Sequence, residues 1–308
     1  MGGYHEFHVS DEIQVALGLE AAVVALESAV VTHGLPHPAN LEAAERMASA
    51  VRRAGAVPAM VAVLEGRITV GVGPDELSRL ADARGVKVAR RDLPVALARG
   101  ATGGTTVSAT LAVAHALGVR VQATGGIGGV HLGAERTWDV SADLDELTRR
   151  PLVLVASGTK AICDPGATLE ALDTRGVTVV GFGTDRFPLF YMPDSGYPVP
   201  WEVDSPAEAA AIYRAKQRLG DPSALLVCHP PPPDARLPAG LVREAVARAV
   251  EAAAREGIRG GDLTPYLLAE VDRLTQGAAV RANLALLEAN AALAARIALA
   301  LTEERLPA

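Results

Sequence analysis

The sequence predicts an α/β protein, a mostly parallel sheet flanked by helices, with long helices near the C-terminus. Three observations predict it. Short valine-rich apolar runs recur along the chain, helix-length stretches separate them, and two long amphipathic stretches follow the last run. Runs that are apolar on both faces suit strands buried between helical layers. Alternation of strand, helix and strand implies parallel pairing through helical crossovers.

In chain order, the strands are expected at AAVVAL (21–26), AMVAVL (59–64), RVQAT (120–124), LVLVAS (152–157), VTVVGF (177–182) and ALLVC (224–228). Helices are expected at LEAAERMASAVRRAG (41–55), TVSATLAVAHALG (106–118) and GATLEALDTRG (166–176). The amphipathic period continues through GLVREAVARAVEAAAREG (240–257) and VRANLALLEANAALAARIALALTEE (280–304). The proline-broken stretch YMPDSGYPVPWEVDSP (191–206) reads as an irregular loop, either a boundary or a lid. One domain over residues 1–308 is expected.

Composition narrows the function. With 308 residues, 49% of them hydrophobic, the chain can bury a large core. A formal net charge of −7 argues against a broad nucleic-acid surface, and 4% aromatics argue against a base-stacking platform. Two cysteines, Cys163 and Cys228, exclude a disulfide scaffold and fit a reducing cytoplasm. Cys163 reads as a small buried hydrophobe. The opening MGGYHEFHVSDEIQVAL lacks a basic segment followed by an apolar one, so no leader is expected. Nor does an 18-residue charge-free apolar run suggest a membrane span.

Two glycine-rich stretches invite a phosphate reading. In ATGGIGGVH (123–131) the spacing G-x-G-x-x-G fails, because His131 stands where the third glycine belongs. SGTK (157–160) lacks the upstream glycine of a Walker loop. Neither NAD nor a nucleoside triphosphate is indicated. GATGGTTVSAT (100–110) is the better anion site, since its glycines lead into a helix start bearing Thr105, Thr106 and Ser108. Ordinary N-capping by Thr105 or Thr106 fits the same residues.

Several side chains could carry chemistry. Glu27 follows an apolar strand, at the end where ligands collect in open sheets. A desolvated carboxyl there suits a general acid, and a solvated carboxylate is the plainer alternative. Lys160 follows LVLVAS through a small turn and suits either a phosphate or nucleophilic attack. Lys87 is a candidate neighbour. Asp139 and Asp143 suit a hard divalent ion, although Asp143 with Glu146 has capping-box spacing, and the cap is the preferred reading. His33, His37 and His131 lack zinc-site spacing, and no G-x-S-x-G elbow occurs.

Long segments of the chain are more specific. ALESAVVTHGLPHPANLEAA (25–44), GGTTVSAT (103–110), ATGGIGGVHLGAERTWDVSADLDEL (123–147), SGTKAICDPGATLEAL (157–172) and TPYLLAEVDRLTQGAAVRANLALLEANAALAARIA (264–298) carry the resemblance, as do VPAMVAVLEGRITVGV (57–72) and KVARRDLP (87–94). The chain resembles the pseudouridine-5'-phosphate glycosidases of the indigoidine synthase A-like family over nearly its whole length. The resemblance implies that family's fold, and reversible cleavage of the C–C glycosidic bond of pseudouridine 5'-phosphate to uracil and ribose 5-phosphate. It implies a divalent ion, typically Mn²⁺, a lysine imine intermediate, a homotrimer, and no NAD or pyridoxal phosphate. Glu27 matches the family's proton donor, Lys160 its nucleophile and Asp139 its metal ligand. Lys87, Val107, Ser141, Ala142 and Asp143 match substrate contacts, and His131 and Asn283 match the pocket lining.

On this reading the 5'-phosphate is expected near Thr105, Thr106 and Ser108, with Lys87 as its cation. One departure is that His229-Pro230 stands where the family usually has Asn-Pro. A fused sugar-kinase domain, carried by some relatives, is not expected. Two other readings stay open: another Schiff-base enzyme such as a sugar-phosphate aldolase, and a non-catalytic pigment-pathway accessory protein.

Overall fold

The computed structural model describes residues 7–82 and 85–303. The first half of the chain runs β1 (Phe7–Val9), α1 (Asp11–Gly18), β2 (Val23–Glu27), α2 (Ala39–Arg53), β3 (Val57–Leu64), β4 (Arg67–Val70), α3 (Pro74–Asp82) and β5 (Val86–Val88). It continues through α4 (Leu93–Ala98), β6 (Gly103–Thr105), α5 (Val107–Ala116), β7 (Val121–Ala123), α6 (Ala134–Thr137), α7 (Ala142–Arg149) and β8 (Val153–Ala156). The rest is α8 (Pro165–Thr174), β9 (Thr178–Phe182), β10 (Glu202–Val203), α9 (Pro206–Arg218), β11 (Leu225–Cys228), α10 (Ala239–Glu256), α11 (Leu263–Leu274) and α12 (Ala278–Glu303). Residues 1–6 of the stretch read for a leader, and residue 304 of the last expected helix, lie outside the described residues.

The strands form one sheet in the order β1-β4-β3-β2-β7-β8-β11-β9-β10, with β6 joining β3 to β5. Its centre is parallel, as expected: β3, β2, β7, β8, β11 and β9 pair in that sense. The flank is not. β4 and β6 each pair with β3 antiparallel. Strand-to-strand alternation divides the core into two layers. Val24, Leu26, Val121 and Val155 pack with α2, α9 and α12 on one side. Val23, Ala25, Leu154 and Ala156 pack with α1, α5, α7 and α8 on the other.

The 26-residue α12 is long and apolar enough to cross a bilayer. Its composition has a local cause: α12 is wedged against α2, α9 and the central strands, with Leu286, Leu293, Ala294 and Ile297 buried. The 191–206 stretch is irregular until β10, but it does not begin as an exposed lid, because Tyr191 and Met192 are buried in the core. The expected glycine loop at 103–104 is instead part of strand β6. Glycine is needed there because the strands crowd: a β-carbon at Gly103 would lie 2.1 Å from the carbonyl oxygen of Val86.

Parallel strands put their C-terminal ends on one edge. Glu27 ends β2, the 125–129 glycines follow β7, and the turn to Lys160 follows β8. That last turn depends on Gly158, whose φ is +63° and whose β-carbon would lie 1.8 Å from the Pro188 carbonyl oxygen. The obstacle is backbone and cannot swing away. Gly158→Ala is therefore expected to destabilise the protein by about 2 kcal/mol or more. Urea unfolding checks this, and an unchanged midpoint would mean that the turn relaxes freely.

Candidate active site

A pocket opens at this edge. Its reactive lining is Glu27, His33, Lys87, Thr106, Lys160 and Asn283. Gly125 and Gly126 form part of the floor, and Phe190 and the start of α11 at Thr264, Pro265 and Leu268 close the sides. A β-carbon at Gly126 would stand 2.7 Å from the Phe190 ring, so glycine keeps backbone and ring in contact.

Glu27 is only 7% exposed and accepts a hydrogen bond from the Thr124 hydroxyl. Burial pushes its carboxyl above the usual range, against the opposing pull of Lys160 and of the Thr124 hydrogen bond. Lys87, half-buried on β5, is held below the usual lysine range by burial and then by the charge of Lys160. Lys160 shares the pocket with both. Its backbone N–H donates to Ile127 at 3.0 Å, which ties the lysine turn to the glycine loop.

Asp143 departs from the cap expected of it. Ser141 caps α7, its hydroxyl accepting from the Asp143 N–H at 3.2 Å. The Asp143 carboxylate, 4% exposed, instead accepts from the Ser108 N–H at 2.9 Å and the Gly128 N–H at 2.8 Å. It thus fills the start of α5 and fastens the glycine loop to it. Capping spacing was a poor guide because both donors lie far from Asp143 in sequence.

The expected phosphate residues divide accordingly. Thr106 lines the pocket and its hydroxyl pairs with Ser108 at 3.0 Å. Thr105 is fully buried and turned inward: its hydroxyl donates to the Val61 carbonyl at 2.6 Å and accepts from Thr110 at 2.9 Å. The expected contact of Thr105 with substrate is thus corrected to a structural role. Val107 is also fully buried. Ser141, Ala142 and Asp143 sit behind the glycine loop rather than in the pocket lining.

His131 and Asp139 form a second polar spot. The buried His131 Nδ1 lies 3.7 Å from an Asp139 carboxylate oxygen and has no hydrogen-bond partner among the described residues. Burial holds the imidazole below its usual range, opposed by Asp139. No three His, Cys, Asp or Glu side chains cluster as a ready-made metal cage among the described residues. Asn283 is buried with its side-chain oxygen likewise unpartnered.

Sequence reasoning did not place His33 in the pocket. It stands in a single π-helical turn, Val30–Gly34, directly after β2, and its Nδ1 lies 2.7 Å from the Thr32 hydroxyl. The signal available was its closeness to Glu27 at a strand end. Phe190 and the α11 residues gave no such signal, because tertiary packing alone brings them here.

Comparison with known proteins shows the family and the fold. The family model for indigoidine synthase A like protein matches residues 12–300. A pseudouridine-5'-phosphate glycosidase of Methylobacterium nodulans is 50% identical over 96% of this chain and 88% of its own length. One from Saccharopolyspora erythraea is 48% identical over 95% of this chain and 97% of its own. Two solved structures share the fold at 34% identity. The prealnumycin C-glycosynthase AlnA, in complex with ribulose 5-phosphate, has a TM-score of 0.89 and 98% coverage of both chains. An indigoidine synthase A-like protein of Thermotoga maritima has a TM-score of 0.88 and 97% coverage of both. The chain belongs to the indigoidine synthase A-like family.

Proposed function

We propose that this protein cleaves the C–C glycosidic bond of pseudouridine 5'-phosphate, reversibly, to give uracil and ribose 5-phosphate. The observation that carries the reading is the convergence of Glu27 and Lys160 in one pocket, with the carboxyl buried so that its proton is held more tightly than usual. Relatives at 48–50% identity bear the name of that activity, and a solved relative binds a pentose phosphate.

The chemistry needs both groups. The leaving atom is carbon, so it must be protonated before it departs. The neutral amine of Lys160 attacks C1' and displaces the ring oxygen, which takes up the proton that the amine loses. Glu27 then delivers its proton to C5 of the base. The C1'–C5 bond breaks and its electron pair returns to the uracil ring, while the nitrogen lone pair completes an imine at C1'. Water hydrolyses the imine, releasing ribose 5-phosphate and the free lysine. Lys87 on β5 and Thr106, just before α5, would hold the phosphate.

A divalent ion, Mn²⁺ or another, fits Asp139 better than a closed cage would. Hard ions of this kind often rest on one or two carboxylates with water and substrate oxygens. The unpartnered His131 Nδ1 beside Asp139 supports a polar ligand at that spot. When bound, the ion would orient the substrate and stabilise negative charge. The same reading carries a cytoplasmic homotrimer. Leu132, Trp138 and Val140, all close to Asp139 in sequence, are exposed apolar side chains that subunit packing would cover.

Uracil release from pseudouridine 5'-phosphate with Mn²⁺ is the decisive assay. Wild type is expected to release uracil and Lys160→Ala to release none above background; a folded, metal-loaded wild type that releases none sinks the reading and revives the aldolase alternative. Glu27→Gln should lower kcat by about 10²–10⁴-fold while borohydride still traps ribose 5-phosphate, supplied directly, on Lys160. The pH profile follows from the sign of the Glu27 shift. The donor acts while protonated, so kcat should hold through the ordinary carboxylate range and fall as pH rises through the elevated Glu27 pKa. An alkaline limb that keeps its place in Glu27→Gln would exclude Glu27 as the donor.

A further inference from the structure

The mechanism leaves several buried polar groups unused, and one of them binds the strand ends at the pocket edge. Asn290, near the middle of α12, is fully buried. Its side-chain N–H groups donate to the Thr124 carbonyl at 2.8 Å, the Gly125 carbonyl at 3.3 Å and the Ser157 hydroxyl at 3.1 Å. Its oxygen accepts from His229 Nδ1 at 3.1 Å. Thr124, Ser157 and His229 are the first residues beyond β7, β8 and β11, three neighbouring strands. One amide therefore ties together three strand ends on the edge that carries the pocket.

Those ends lead directly to the reactive groups. The Thr124 hydroxyl donates to the Glu27 carboxyl. Ser157 opens the turn that ends at Lys160, and its N–H donates to Gly125 at 2.8 Å. We propose that Asn290 is a positioning residue for the reaction, acting through Thr124 on Glu27 and through Ser157 on the Lys160 turn, without itself meeting the substrate. The inference rests on the glycosidase reading for its kinetic consequences. A side-chain amide in an apolar helix face is costly to bury unless its bonds are made, and here all of them are made to the strand ends.

The test compares Asn290→Ala, Thr124→Val and the double variant in the full-length enzyme, with Thr124→Ser as the conservative rescue. Thr124→Val removes a hydrogen bond that favours ionised Glu27, in a site where Lys160, Asp143 and Lys87 also face that carboxyl. Its alkaline pH limb should move upward, and Thr124→Ser should restore it. Asn290→Ala is expected to lower kcat about tenfold or more with KM within about twofold, and to move the limb the same way. The double variant should be no more than about twofold worse than the poorer single one. Hydrogen exchange should quicken at residues 124–129 and 157–160 in Asn290→Ala.

If the two losses multiply, or if kcat and exchange in Asn290→Ala match wild type, the relay is overturned. Should Asn290→Ala fail to fold, Ser157→Ala tests the second arm. Lower kcat at unchanged KM with faster exchange at 157–160 supports it, and no change in either overturns it. A wild type that releases no uracil removes the glycosidase reading, while the exchange result still decides whether Asn290 holds these turns.

Discussion

The site hangs on a carboxylate buried between two backbone amides. Asp143 accepts from Ser108 at the start of α5 and from Gly128 in the glycine loop. A buried charge without partners would cost several kcal/mol, and here two directed N–H groups and the positive end of a helix supply them. The consequence runs outward along the loop. Gly128 is followed back to Ile127, whose carbonyl receives the N–H of Lys160 at 3.0 Å and the hydroxyl of Thr159 at 3.1 Å. The position of the candidate nucleophile is thus set by a charge that does not line its pocket. Room for this is made by glycine: a β-carbon at Gly128 would lie 2.2 Å from the Ser141 hydroxyl.

Electrostatics within the pocket follow from burial. Burial raises the pKa of Glu27, the carboxyl of the lining, while Lys87 and Lys160 bring two basic side chains to it. The net charge of −7 is a sum over the whole chain and does not describe this local basic spot. An anionic substrate would be drawn to the pocket even though the protein as a whole repels anions.

The central strands were legible in the sequence because they are buried on both faces. Val23–Glu27 and Leu225–Cys228 are apolar runs with little polar interruption, and their helical crossovers are periodic. The flank was not legible. Strands of two or three residues such as Val86–Val88 and Glu202–Val203 show no period, and their pairing is decided by neighbours far along the chain. Gly103 and Gly104 looked like a phosphate loop because close approach of one strand to another needs the same residue as close approach to an anion. In the site, Glu27, Lys87, Lys160 and Asn283 could be named from the sequence with the help of family resemblance, and all four line one pocket. The true partners of Asp143, and the role of Asn290 within an apolar helix pattern, were hidden because each depends on contacts 15 to 166 residues away.

The exposed indole of Trp138 has a spectroscopic consequence. The chain has two tryptophans, and both Trp138 and Trp201 stand largely in solvent, at 86% and 70% exposure. Emission from the native protein monomer should already be red-shifted, so unfolding would change it little. Trp138, the residue immediately before Asp139, is instead placed to report on changes beside that carboxylate. Quenching or a blue shift on adding Mn²⁺, or on subunit association, that Trp138→Phe abolishes would be a local signal over the steady emission of Trp201.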